Sequence, residues 1–322
     1  MLTLFQFEAG RTIQTQPPGP PAEIPPGTVW IDMLEPAPDE VASVERLLRL
    51  DVPTRDEMRK IEESSRLYVE DGALFMTIPI VNKAATEPEN VGVTFILAPS
   101  ALITLRYVDP LPFGRFARRI ERQPDLAATP EAALIGLLEQ VVDRLDDILE
   151  GATAGIDAIS ADIFRGPAGK RRVGDDLHEI LKRVGRAGDL ASKARASVLG
   201  LNRLLLFLST QATCTPNGRS RIETLMRDVQ SLSDHDGFLA DKIGFLQDAT
   251  LGMIDIEQNG IIKIFTVAAV AFMPPTLIAS IYGMNFHHMP ELDWTFGYPL
   301  ALFLMVLSAV LPFLYFRHKR WL

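Results

Sequence analysis

Neutral oxygens recur along one side of a single apolar stretch near the C-terminus. Asn259, Thr266, Thr276 and Ser280 fall, together with Ile262, Ala269 and Met273, within about 60° of Met273 when each residue is turned by ~100°. From Ile262 onward their spacings alternate four and three. Hydroxyl and carboxamide oxygens of this kind can hydrogen-bond the water shell of a hydrated cation without stripping it. Upstream, Asp234, Asp241, Asp248 and Asp255 lie seven apart, a spacing that on its own describes a solvated helix face. The same rotation nevertheless points Asp255 in the direction of Met273, with Asp248 about 20° away. Lipid rewards neither threonine nor serine, so the stripe is either a helix-packing face or the wall of a water-filled path. Geometry leaves both open.

The elements that must carry these residues follow from hydropathy. No Asp, Glu, Lys or Arg occurs between Ile264 and Phe286, nor between Trp294 and Phe316. Each run is long enough for a helix to span bilayer hydrocarbon, which takes about 20 residues. Two transmembrane helices are therefore expected. The intervening loop, His287 to Asp293, has no Lys or Arg and carries Glu291 and Asp293, whereas the tail reads Arg317-His318-Lys319-Arg320. The positive-inside rule then puts both termini in the cytoplasm and the acidic loop outside. The N-terminal MLTLFQFEAGRT has neither the basic start nor the long apolar core of a signal peptide. After Ser220 no proline appears until Pro274, so one helix of about 60 residues is expected to run from a stalk into the first span. Leu225, Val229, Leu232, Leu239, Ile243, Leu246 and Met253 give that stalk an apolar row for packing against neighbours.

Of the 322 residues, 32 are Lys or Arg and 41 are Asp or Glu. The resulting net charge of −9 is the wrong sign for a nucleic-acid binder and the right one for cation partners. A single cysteine, Cys214, excludes a disulfide framework or a cysteine-rich metal site. No P-loop, strand-anchored glycine fingerprint or His/Cys cluster points to an enzyme. The first part of the chain reads as mixed α/β, with strands at 3–7, 28–32, 66–70, 73–81, 92–97 and 101–106. Helices are expected at 39–50, 54–63 and 113–122. Asp71-Gly72 is a hairpin turn between two of those strands. From Pro130 long helices take over, at 130–164 and about 175–212, with Thr215-Pro216-Asn217-Gly218 as the next turn. The Pro-rich stretch at 17–27 is a stiff surface connection.

The end of the first apolar helix reads Tyr282-Gly283-Met284-Asn285-Phe286, followed by Met289-Pro290-Glu291-Leu292. With Phe272-Met273-Pro274 upstream and Lys319-Arg320-Trp321-Leu322 closing the chain, this combination resembles the CorA family of divalent-cation channels along its whole length. The resemblance implies an α+β cytoplasmic domain, long helices and two C-terminal transmembrane helices, assembled as a funnel-shaped homopentamer in a bacterial inner membrane. It divides the chain into a cytoplasmic α/β domain at 1–128, a helical region and stalk at 129–259 and a pore-lining helix at 260–286. An external loop follows at 287–293, then a second helix at 294–316 and a basic tail at 317–322.

The implied activity is uptake of magnesium, also cobalt and nickel, gated by intracellular magnesium, with Mg2+ as cargo and regulator and no enzymatic cofactor. By resemblance Asn285 is the selectivity residue, Gly283 permits the backbone turn, and Thr276 and Asn259 add polar rings. Met273 and Phe265 supply apolar constrictions able to gate by dewetting. Asp248 and Asp255 are assigned to acidic rings at the inner mouth, and Glu291 and Asp293 to the external entry. Asp228, Asp234, Glu87 and Glu89 are candidates for regulatory metal ligands, and Gly260 for a hinge. His287-His288 stands where many family members carry a carboxylate, and imidazole suits cobalt, nickel or zinc better than magnesium. The competing readings are a zinc transporter of the same superfamily, against which Met284 argues, and a membrane-anchored sensor or adaptor, which needs neither a polar stripe nor an acidic entry loop.

Overall fold

The structure, a computed structural model, describes all residues except 60–65, 166–173, 212–213, 285–288, 291–293 and 320–322. Seven strands form one mixed sheet: β1 (Leu2–Glu8), β2 (Arg11–Thr15), β3 (Thr28–Leu34), β4 (Leu67–Glu70), β5 (Ala73–Asn82), β6 (Glu89–Leu97) and β7 (Leu102–Arg106). Their order is β2-β1-β3-β7-β6-β5-β4. Among the described residues only β3 and β7 run parallel, with Ile31 opposite Ile103. The β4–β5 turn has positive φ at both Asp71 and Gly72, as a two-residue hairpin requires.

Strand β2 was not expected from the sequence. Its side chains are almost all exposed, so it lacks the apolar alternation that marks a half-buried strand, and only its pairing with β1 defines it. Where a helix is expected over 54–63, the described residues hold a single 3-10 turn, Glu57–Arg59, that buries Met58. Residues 60–63 of that expectation lie outside the described residues.

Helix α1 (Pro38–Leu48) precedes β4, and α2 (Leu111–Arg122) and α3 (Pro130–Arg165) follow β7. One apolar cluster joins Leu4, Ile31, Met33 and Ile103 to Val44 of α1. Elsewhere Trp30 stacks on Phe5 at 4.1 Å and meets Phe116 of α2 at 5.5 Å. A Cβ at Gly136 of α3 would lie 2.6 Å from the Phe116 ring, so this mid-helix glycine is the condition for α2 to approach α3. A polar network is sealed into the same sheet. Trp30 Nε1 donates to Thr104 Oγ1, which donates to Asp32 Oδ1, and Arg106 donates through Nε and Nη2 to both Asp32 oxygens.

Helix α4 spans Gly174–Gln211 and α5 spans Pro216–Tyr282. The latter starts four residues earlier than expected, because Thr215 Oγ1 accepts from Gly218 N and Pro216 needs no N–H in the first turn. Leu225, Val229, Leu232, Leu239, Ile243 and Leu246 of the apolar row are buried. Met253 is half-buried. Helix α6 covers Gly297–His318. The chain forms two compact units, residues 1–168 with 180–246, and residues 169–179 with 247–322.

Candidate ion pathway

Among the described residues two helices, α5 and α6, are long and apolar enough to cross a membrane. Within α5 the stripe keeps its helical continuity through Gly260 and through Pro274-Pro275. Thr266 Oγ1 donates to Ile262 O at 2.8 Å and Thr276 Oγ1 to Phe272 O at 2.7 Å. Both hydroxyl protons are thus spent on the helix's own backbone, which leaves the oxygen lone pairs as what each side chain offers outward. The two prolines supply no N–H, so the carbonyls of Val270 and Ala271 lose their usual helical donors. Both effects make this stretch a surface of acceptors.

Ala269, Phe272, Met273, Thr276, Leu277 and Ser280 line a shallow concavity on this helix. Met273 is 69% exposed and Phe265 72% exposed, apolar groups left largely uncovered among the described residues. Asn259, Asp248 and Asp255 are exposed on the same helix, and neither aspartate pairs with a cation among the described residues. The helix ends at Tyr282, earlier than the 286 expected for the span. Gly283 sits in the turn that follows and donates to Ala279 O at 2.9 Å. A Cβ there would lie 3.1 Å from that carbonyl. The backbone approach is tight here, and Gly283 does not have positive φ. Asn285, His287, His288, Glu291 and Asp293 lie outside the described residues.

The regulatory candidates separate. Asp234 accepts from Gln230 one turn away and is exposed. Glu89 is held by Lys83 at 3.1 Å and by Asn82, bonds that lower its pKa. Glu87 is exposed. Asp228, by contrast, borders a polar cleft with Arg119, Glu139, Asp143, Ser220, Arg221 and Thr224. Desolvation raises the pKa of Asp143, opposed by Arg119 and reinforced by Glu139, while Arg221 Nε holds Glu139 at 2.8 Å. Sequence reading missed Glu139 and Asp143, since helix packing alone brings α3 residues to an α5 residue more than 80 positions away. Among the described residues no three His, Cys, Asp or Glu side chains converge closely enough to hold a metal.

A family model described as CorA-like Mg2+ transporter protein matches residues 26–319. The chain belongs to the CorA family. It is 35% identical over 323 residues to the magnesium transport protein CorA of Salmonella typhimurium, and 34% identical to that of Escherichia coli K12, covering all of both chains in each case. Among solved structures it resembles the complete CorA magnesium transporter of Methanocaldococcus jannaschii at a TM-score of 0.77, with 18% identity, 100% of this chain and 99% of that one covered. The cytoplasmic domain of ZntB from Vibrio parahaemolyticus aligns at 0.55 with 12% identity, over 79% of this chain and 97% of that one. At such identities these likenesses speak to fold. Membership of CorA is membership of a family of transporters, consistent with a chain whose sequence shows no enzyme motif.

Proposed function

We propose that this chain carries magnesium across a bacterial inner membrane as a homopentameric channel, with α5 lining the pore, α6 outside it and both termini in the cytoplasm. The observation that carries this reading is the set of back-bonded threonines on the α5 stripe. A hydroxyl whose proton is committed to the helix presents an acceptor, and five such oxygens around an axis suit the protons of a hydrated ion's water shell. Magnesium releases that shell reluctantly, so a path of neutral acceptors passes it where a charged cage would trap it. Asn285 carboxamides at the entrance would select the ion, followed inward by the rings of Thr276 and Asn259 and the backbone around Gly283. Met273 and Phe265 would close the path by excluding water, and Asp248 and Asp255 would hold cations at the inner mouth. Glu291 and Asp293 would draw cations to the outer one. Cobalt and nickel pass by the same acceptors, and His287-His288 would favour them locally.

Intracellular magnesium closes the channel in this reading. Of the four regulatory candidates, Asp228 is best supplied for the task, with Glu139 and Asp143 beside it, where desolvation and the charge of Glu139 both raise the pKa of Asp143. A bound ion relieves that repulsion and favours the closed arrangement by its differential affinity.

Uptake into liposomes tests the pathway. Asn285→Ala should abolish selective magnesium flux while the purified oligomer keeps its size; unchanged flux in an assembled mutant would refute the assignment.

A further inference from the structure

Leu225, Leu232, Leu239 and Leu246 of the α5 stalk lie seven apart, and all four are buried. Between them run Val229, Asp236 and Ile243, also seven apart and also buried. Moved along its own axis by one such repeat, about 10 Å, the row sets leucine on leucine and changes only in this middle line. Apolar burial has no direction, so packing alone discriminates weakly between such positions. Asp236, 2% exposed, is the charged member of the row.

Three helices meet at its level. On the α4 side, Arg195 Nε lies 3.4 Å from Asp236 Oδ2. On the α3 side, Thr153 Oγ1 donates to Leu149 O at 2.8 Å, so its one proton is spent and it accepts from His235 Nε2, 2.9 Å away. Adjacent residues of α5 thus reach two different helices through directional bonds. As a source of stability the aspartate is poor. The Arg195 side chain is more than half exposed, and Asp236 Oδ1 is buried with no hydrogen-bond partner among the described residues. Burial raises the pKa of Asp236, opposed first by Arg195 and then by His235. Beside it Gly188, Ala191 and Ala240 line a cavity of about 160 Å3, so a leucine at 236 would complete the apolar row without crowding it.

We propose that Asp236 and His235, with Arg195 and Thr153, form a polar pin that fixes the register of α5 against α4 and α3 at a cost in stability. A charged group at one position of an apolar seam specifies register because a displaced arrangement buries it unpaired. Moved one repeat either way, Asp236 enters the level now held by Val229 or Ile243 and leaves Arg195 behind, and His235 leaves Thr153. An uncharged row accepts the same shift, since each leucine finds the place of another. The pin lies within the unit formed by residues 1–168 and 180–246, and it does not require that the chain transport anything.

Disulfide trapping in the full-length protein in detergent reads the register directly, on a Cys214→Ser background, with intrachain bonds identified on non-reducing gels and by peptide mass. Ser192 of α4 and Ala240 of α5 border the same cavity, so Ser192→Cys with Ala240→Cys should cross-link in the native register. Ser233 and Gln247 stand seven residues to either side of Ala240. Ser192→Cys paired with Ser233→Cys or with Gln247→Cys therefore reports a shift of one repeat. With Asp236 in place only the 192–240 bond should form. Asp236→Leu should raise the unfolding midpoint by a few degrees and gain a shifted bond, and Asp236→Asn, which keeps the shape and removes the charge, should gain it too. Arg195→Leu leaves the carboxylate buried and unpaired and should lower the midpoint, which adding Asp236→Leu should restore. The 192–240 bond alone in both Asp236 variants would overturn the proposal. So would a lower midpoint in Asp236→Leu, or a shifted bond in protein that retains Asp236. None of these measurements reads ion flux, so this inference and the proposed transport fail separately.

Discussion

The sheet and the C-terminal stretch of α5 treat polar groups in opposite ways. Inside the sheet, Asp32, Arg106, Thr104 and Trp30 satisfy one another within a single chain, and the Arg106 and Asp32 side chains are 6% and 7% exposed. On α5, Thr266 and Thr276 donate to their own helix, while Phe265, Phe272 and Met273 are each about 70% exposed. The sheet is a finished object in water. The helix presents apolar bulk and acceptor oxygens together, a surface that lipid, other copies and an ion complete in the function proposed above.

Asp32→Ala should show the largest effect. It strips Arg106 of two bonds in a buried setting, a loss of about 3–5 kcal/mol, read as a fall in unfolding midpoint and in expressed protein. Flux per folded oligomer should not change. If it does, the sheet is coupled to the pathway more closely than this contrast allows.

A matched pair of isosteric changes sharpens the comparison. Thr276→Val removes a hydroxyl from the stripe and should cut magnesium flux about tenfold, roughly one ring's worth of net hydrogen bonding, with thermal stability unaltered. Thr77→Val removes one partner of the buried Thr77–Thr94 hydroxyl pair, 2.8 Å apart. It should cost about 1–3 kcal/mol of stability and leave flux per oligomer alone. Reversal of either outcome would break the division.

The smallest effect concerns pH. Asp143 has its pKa raised chiefly by desolvation, so the folded state binds its proton more tightly than the unfolded chain does. The penalty is present above the folded pKa and fades as pH falls through it. Stabilisation by Mg2+ at the Asp228 cleft should therefore shrink as thermal unfolding is repeated from pH 7 downward, because protons relieve the same repulsion. Asp143→Asn should flatten that dependence. A magnesium effect that grows toward acid pH would exclude Asp143 from the site.

Much of the architecture is legible in the sequence. Long uncharged runs have few physical explanations, and those expected at Ile264–Phe286 and Trp294–Phe316 overlap the end of α5, to Tyr282, and α6, from Gly297. Pro130 marks a helix start because proline suits the first turn, and Ala132 N donates to the capping Thr129 Oγ1; Thr215-Pro216 reads as part of a turn, yet α5 starts there for the same reason. Strand β2 was illegible because an exposed edge strand carries no apolar alternation. Asp236 was hidden in plain view: a row read for apolar residues skips the charged member at the spacing's own position.

The sequence by itself determined the periodicities, namely which residues share the α5 stripe, which rows are apolar and which tripeptide ends the first apolar helix. Those are consequences of one chain's local geometry, since about 100° per residue fixes direction without reference to anything else. Only tertiary structure decided which distant groups meet. It set Glu139 and Asp143 beside Asp228, Arg195 beside Asp236 and Arg106 on Asp32. Such pairings depend on how helices pack and strands register, and the free energy that selects them comes from burying surfaces that no single segment possesses.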